Sequence, residues 1–155
     1  MSLVIFKDGN LYADTRAWGG EGGSPTPGAK NKVLYANDGS MIGATSATLG
    51  AGVEALNAYN AGEQCVDGGD FYGLVVKPGV PGYFYWVDDK PLAGPFTEPF
   101  FAVGSGAKYA LGALSAGGTV KDAFKAAAKY DWFSRAEYRT FSLRTPKVPV
   151  KRKKR

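Results

Sequence analysis

The sequence predicts an α+β domain of antiparallel sheets with helices packed against their outer faces, and three observations predict it. Short apolar runs separated by glycine-containing turns recur along the chain, as hairpins require. Apolar residues at helical spacing occur between those runs, near the middle and near the end. The resulting order of strands, helix, strands, two helices and strand suits layered sheets with helices outside them.

Leu3-Val4-Ile5-Phe6 is a short apolar run that reads as a buried strand. Asp8-Gly9 supplies a tight turn, and Leu11-Tyr12-Ala13-Asp14 returns antiparallel. Residues 18–29 hold five glycines and two prolines and read as a long loop. Val33–Ala36, the turn Asn37-Asp38-Gly39 and Ser40–Gly43 form a second hairpin. Leu49, Val53, Leu56 and Tyr59 or Asn60 fall at helical spacing over 48–60, with Gly62 as the stop. Strands at 71–76 and 83–87 flank Lys77-Pro78-Gly79, and Phe100–Val103 is a further strand. A helix over 107–115 follows Gly104-Ser105-Gly106. Thr119 and Asp122 then have capping-box spacing and open a helix with Val120, Phe124 and Ala127 on one face. Tyr138–Leu143 is the last strand, and no internal repeat is present.

At 155 residues the chain has material for a two-layer core, and 45% apolar with 21% charged residues is ordinary for a globular protein. No apolar run approaches a membrane span, and the start lacks a signal peptide's basic head and cleavage site. The expected location is the cytoplasm or a virion. Cys65 is the one cysteine and there is no histidine, which excludes an internal disulfide, a zinc site and a histidine-dependent triad. No cofactor is expected. Acid–base chemistry must use Lys, Asp, Ser or a free amino terminus. Net charge is +5, but Lys147, Lys151, Arg152, Lys153, Lys154 and Arg155 supply six positive charges, so residues 1–146 sum to −1. The division is a domain over 1–146 and a basic tail over 147–155.

Four segments carry a more specific signal. KDGNLYADTRA (7–17) resembles the opening of proteasome β-subunits and HslV, in which Asp-x-Arg ends the second strand. NKVLYA (31–36) resembles the segment that carries that family's active-site lysine. FAVGSGAKYALGAL (101–114) resembles its Gly-Ser-Gly turn into the third helix, and Asp131-Trp132-Phe133-Ser134 resembles the close of its fourth. The resemblance spans residues 2–143 and implies the αββα sandwich of the N-terminal nucleophile (Ntn) hydrolases. It also implies two losses: the second helix, for which 62–71 leaves no room, and the final strand after Leu143.

Carried over by position, Asp14 resembles the aspartate that holds the lysine, and Lys32 the lysine that favours the ionised nucleophile. Ser105, Asp131 and Ser134 resemble the groups around the free amine. The family's nucleophile is an N-terminal threonine; here removal of Met1 would free Ser2, which has both hydroxyl and amine. A turn on Asp8-Gly9 pairs positions summing to about 17, which puts Leu3 opposite Asp14 and Ser2 at the nucleophile's place. A terminal amine with a pKa near 8 relays a proton at neutral pH without histidine.

Ala44-Thr45-Ser46-Ala47-Thr48 stands where the family has a glycine-rich oxyanion turn, and its side chains crowd that site. Taken singly, the site residues also fit structural roles: Asp14 and Arg16 as a surface pair, Lys32 as an edge lysine, Ser105 as a helix cap, Asp131 and Ser134 as a helix end. Two functions follow. The favoured one is a non-catalytic subunit of a homo-oligomeric or mixed assembly, for instance a bacteriophage virion or tail ring; the alternative is an N-terminal-serine peptidase or amidohydrolase. The tail residues Lys151 to Arg155 suit a solubilising end, nonspecific nucleic-acid contact or docking on a partner. No membrane partner is expected.

Overall fold

In a computed structural model, residues 2–18, 25–29, 31–48, 50–63 and 71–145 are described. Asp8 and Gly9 both take positive φ, 51° and 80°, the geometry of a two-residue hairpin turn whose twist matches its strands. It joins β1 (Val4–Lys7) to β2 (Asn10–Asp14) with Val4 opposite Ala13, the predicted register. β10 (Phe100–Val103) pairs with the other side of β1 and β11 (Tyr138–Phe141) with the other side of β2, giving the antiparallel sheet β10-β1-β2-β11.

A second antiparallel sheet has the order β5-β6-β7-β8-β9. Its strands are β5 (Val33–Tyr35), β6 (Met41–Thr45), β7 (Tyr72–Val76), β8 (Tyr83–Val87) and β9 (Ala93–Phe96). Helix α1 (Ala51–Asn60) covers its outer face, while α2 (Ala107–Ser115) and α3 (Val120–Tyr130) cover the first sheet. This is the predicted αββα sandwich. Three helices lie among the described residues, and 64–70, part of the interval predicted too short for a fourth, lie outside them.

Strand alternation sorts the apolar side chains into three layers. Val4 and Phe6 meet Met41, Leu74 and Val76 between the sheets, whereas Leu3 and Ile5 face Ala123, Phe124 and Ala127 of α3. Ile42, Val75 and Trp86 turn the other way, toward α1. The sheets approach closely at Gly43, where an added β-carbon would stand 2.7 Å from Val4 Cγ1. The predicted capping box forms: Asp122 N–H donates to Thr119 Oγ1 (3.2 Å) and Thr119 N–H to Asp122 Oδ2 (2.8 Å).

Three expectations need correction. The stretch 18–29 is not all loop, because β3 (Arg16–Trp18) pairs with β4 (Pro25–Ala29) in a separate ribbon. Proline suits such a ribbon, since a two-stranded pairing needs ladder donors on one side only. β9 was not predicted for the same reason: its Ala-Gly-Pro-Phe sequence is tolerated only as an exposed edge. The α1 helix begins at Ala51, and its buried face is Ala51, Ala55 and Ala58, with Val53 54% exposed. Close packing on the sheet favours small residues, and a β-carbon added at Gly52 would already lie 3.6 Å from that of Ala44. Leu49 lies outside the described residues.

Gly43→Ala should therefore destabilise the fold by about 1–3 kcal/mol through overpacking. Val4→Ala in the same chain should recover part of that loss, so urea denaturation of the two single variants and the double variant should give a non-additive cycle.

Candidate active site

The site begins where the β1–β2 hairpin ends. Asp14 N–H donates to Leu3 O (3.2 Å), which carries the hairpin register one residue beyond the strand and brings Ser2 to the same end of the sheet. Ser2 is buried, and its carbonyl packs against Gly104 so closely that a β-carbon there would lie 1.9 Å from the oxygen. Gly104 also has φ +107°, a conformation that glycine alone adopts readily.

Asp14 comes from the first sheet and Lys32 from the second. Lys32 is fixed by its own carbonyl, which accepts from Ala44 N–H (2.8 Å) and extends the β5–β6 ladder. Its ammonium is in direct contact with Asp14 Oδ1, and both side chains are almost wholly buried, 4% and 0% exposed. The other oxygen, Oδ2, accepts from Arg135 N–H (3.1 Å). Burial pushes the Asp14 carboxyl above the ordinary aspartate range, and the Lys32 ammonium and the Arg135 and Leu3 backbone contacts pull it back.

Beside this pair stands a second polar group. Ser105 Oγ and Ser134 Oγ both donate to Asp131 Oδ2, at 2.7 and 2.5 Å. Asp131 is set by the end of α3, where its N–H donates to Ala127 O (2.7 Å), and Ser134 N–H donates back to Asp131 O (3.2 Å). Gly106 lets α2 approach this turn, since a β-carbon there would fall 2.4 Å from Ser134 Oγ. Arg16 binds the turn from outside, donating to Trp132 O (2.7 Å) and Ser134 O (3.4 Å).

Asp131 and Ser134 do close α3, as their spacing allowed, but the structural roles that Asp14, Lys32 and Ser105 also fitted singly are not the ones they adopt. Asp14 is buried and paired with Lys32 rather than Arg16, and Lys32 is buried too. Ser105 does not cap α2: Gly106 is the cap residue, without a side-chain bond, and Ser105 turns to Asp131. The structure brings Ser2, Asp14, Lys32, Ser105, Asp131 and Ser134 to one end of the sandwich, around the start of β1. The predicted tail residues Lys151, Arg152, Lys153, Lys154 and Arg155 lie outside the described residues.

Two cavities flank this end, divided by the last residues of β6. Alternation turns Thr45 toward one and Ala44 and Ser46 toward the other. The first, about 310 Å³, is lined by Thr45, Tyr72, Tyr85, Val103, Gly104 and Ser105. The second, about 180 Å³, is lined by Lys32, Leu34, Ala44, Ser46, Gly52 and Val53, among others. Burial, with Tyr72 and Asp88 adding to it, pushes the Tyr85 phenol above its usual range. The crowded turn uses its side chains locally: Thr45 Oγ1 donates to Tyr72 O (3.4 Å), and Ser46 Oγ accepts from Thr48 N–H (2.9 Å). Among the described residues no group of three or more His, Cys, Asp or Glu could hold a metal ion, and no helix is long and apolar enough to cross a membrane.

Sequence reasoning missed the Arg135 amide and the Thr45–Tyr85 cavity. A backbone donor leaves no residue signature, and the cavity is made by strands distant in sequence.

No protein-family model matches the chain, and no curated protein matches it. Solved structures do match. A Thiobacillus denitrificans protein designated BPH, in complex with epoxomicin, superposes with a TM-score of 0.65 at 21% identity, covering 92% of this chain and 98% of that one. A second structure of BPH gives 0.64 at 21% identity, with 93% and 98% covered. The eukaryotic HslV of Trypanosoma brucei gives 0.60 at 16% identity, with 89% and 95% covered. The fold is thus the HslV/proteasome-like Ntn-hydrolase fold, over nearly the whole chain.

Lys32→Met should destabilise the protein by about 3–5 kcal/mol, because it leaves a buried carboxylate without its partner. The sign of the pH response is fixed by burial. A carboxyl raised above its unfolded value of 3.8 binds its proton more tightly in the folded state, so the variant should regain stability as pH falls. Asp14→Asn with Lys32→Met should lose less than Lys32→Met alone at neutral pH, measured by denaturant titration.

Proposed function

We propose that this chain is an N-terminal-serine hydrolase acting on peptide or related amide bonds, with Ser2 as nucleophile once Met1 has been removed. The observation that supports it most is the buried Lys32–Asp14 pair next to the Ser105–Asp131–Ser134 cluster at the start of β1. Buried charges are costly unless a fold has a use for them, and such clusters concentrate at reactive sites.

In this mechanism the Ser2 hydroxyl oxygen attacks the substrate carbonyl carbon and its proton passes to the α-amine of Ser2. The Lys32 ammonium adds positive potential that favours the ionised oxygen, and Asp14 holds that ammonium in place. The Ala44 and Thr48 amides are engaged by Lys32 O and Ser46 Oγ, so the donors to the developing oxyanion in this turn are backbone N–H groups between them. The α-ammonium, steadied by Ser105, Asp131 and Ser134, then protonates the leaving amine as the carbon–nitrogen bond breaks. Water hydrolyses the resulting ester with the same amine as base. The Lys32-lined cavity suits a small apolar side chain on the acyl part, since Leu34, Ala44 and Val53 line it.

A second reading has specific support: a non-catalytic assembly subunit, for instance of a virion or tail ring. Trp132 and Tyr130 are 74% and 61% exposed, as a protein-binding face would present them, and the 44–48 turn carries side chains where open amides would serve catalysis better.

Intact-mass analysis should show loss of Met1, and wild-type protein should cleave fluorogenic peptides bearing an apolar residue before the scissile bond. Ser2→Ala should lower kcat/KM by about a thousandfold or more. Activity should rise with pH through the range just below about 8, as the amine loses its proton. Epoxomicin, which the Thiobacillus protein binds, is the probe for covalent or tight capture at Ser2. Equal rates for Ser2→Ala and wild type would sink the hydrolase reading, and retention of Met1 in a stably assembled protein would favour the second.

A further inference from the structure

The cavity of about 310 Å³ between the sheets takes no part in the proposed hydrolysis. Strand pairing sets its walls. Thr45 stands opposite Tyr72 and Leu74 opposite Tyr85, so alternation turns Thr45, Tyr72 and Tyr85 to the face on which Leu74 meets the first sheet. Val103 closes the space from β10, and Gly104 and Ser105 form the wall nearest Ser2. The four hydroxyls divide into two kinds. Thr45 Oγ1 donates to Tyr72 O (3.4 Å) and Ser105 Oγ to Asp131 Oδ2 (2.7 Å), so both protons are committed. The Tyr72 and Tyr85 phenols have no hydrogen-bond partner among the described residues, and each can donate and accept. The Tyr85 ring is held edge-on by Phe101 at 5.5 Å, and Phe101 stacks on Tyr83 at 5.3 Å, which presets this wall. No charged side chain is among the lining residues. The carboxylates behind them are engaged: Asp131 by Ser105 and Ser134, and Asp88 by the Phe71 amide at 2.6 Å.

We propose that this cavity is a binding site for an uncharged planar ring of phenol or indole size, its polar atom hydrogen-bonded by Tyr72 and Tyr85. Size permits it, because an apolar cavity of about 150 Å³ already admits benzene. Mostly apolar walls with two placed polar groups are what such a ligand requires. A charged ligand would have to be dried against walls that carry no counter-charge. A purely aliphatic one would leave both phenols unpaired. The same ring chemistry is carried by a free small molecule and by a tyrosine or tryptophan side chain of a peptide. The site does not depend on the hydrolase reading, since occupancy is measured without cleavage.

The test is titration of the full nitrogen-15-labelled chain with p-cresol and with indole, followed by amide chemical shifts. Both should bind with a dissociation constant of about 1 mM or lower and perturb the amides around Tyr72, Tyr85, Val103 and Ser105. Toluene, which lacks the polar atom, should bind about threefold to tenfold more weakly than p-cresol. Benzoate and benzylammonium should bind at least about tenfold more weakly. In the double variant Tyr72→Phe/Tyr85→Phe, whose folding circular dichroism checks, p-cresol should lose its advantage while toluene binds as before. Loss of the fold would not give that pattern. N-acetyltyrosinamide separates the two sources. Binding at least as tight as that of p-cresol, at the same amides, assigns a peptide side chain; weaker binding or exclusion assigns a free small molecule. The proposal is overturned if neither p-cresol nor indole saturates these amides, or if their effects are confined to the residues around Lys32. Equal binding of p-cresol and toluene to wild type overturns it too, as does a charged ring that binds more tightly than p-cresol.

Discussion

The contact between Lys32 and Asp14 ties the two sheets together at the end where Ser2, Asp131 and Ser134 are also buried. Asp14 closes β2 and Lys32 precedes β5, so the pair crosses from one layer to the other. Such a pair adds little net stability, since the cost of drying two charges offsets most of their attraction. Its effect is on specificity. A slip of β2 by one residue would turn Asp14 away from the lysine and bury an unpaired charge, so the polar end permits one register where apolar packing alone would tolerate more.

From this contact the remaining polar order can be traced outward. The second oxygen of Asp14 holds the Arg135 amide, which fixes the turn containing Ser134; Ser134 and Ser105 share Asp131, and Gly104, next to Ser105, abuts Ser2. The helices are needed mainly for their ends. α2 brings Ser105 to its start and α3 brings Asp131 to its finish, while their flanks bury Ala110, Leu114 and Phe124 against β1. The apolar layers thus give the polar groups fixed positions, and the polar groups give the apolar layers a unique alignment.

Local chemistry made much of this readable beforehand. The Asp8-Gly9 turn fixed the pairing of Val4 with Ala13, and with it the place of Ser2, because two-residue hairpins admit few geometries. The residues around the site were legible through their likeness to a known pattern rather than through spacing. What stayed hidden was decided by tertiary context. Pro25 argued against a strand that exists because a two-stranded ribbon needs fewer donors. On α1, Leu56 and Tyr59 pack against the core as expected, but apolar size wrongly suggested Val53, whereas helix–sheet proximity selected alanines. The exposure of Trp132 could not be read from a sequence in which large aromatics are usually buried.

The Asp14–Arg135 hydrogen bond joins positions 121 apart in the chain. Its donor follows every helix of the sandwich, so an emerging polypeptide holds the lysine and its carboxylate long before it holds the turn that completes their surroundings. Domains of this kind fold as units, and this polar end is consequently incomplete until the Arg135 turn has been made. A truncated or stalled product would carry Asp14 and Lys32 without the backbone donor that holds the second carboxylate oxygen.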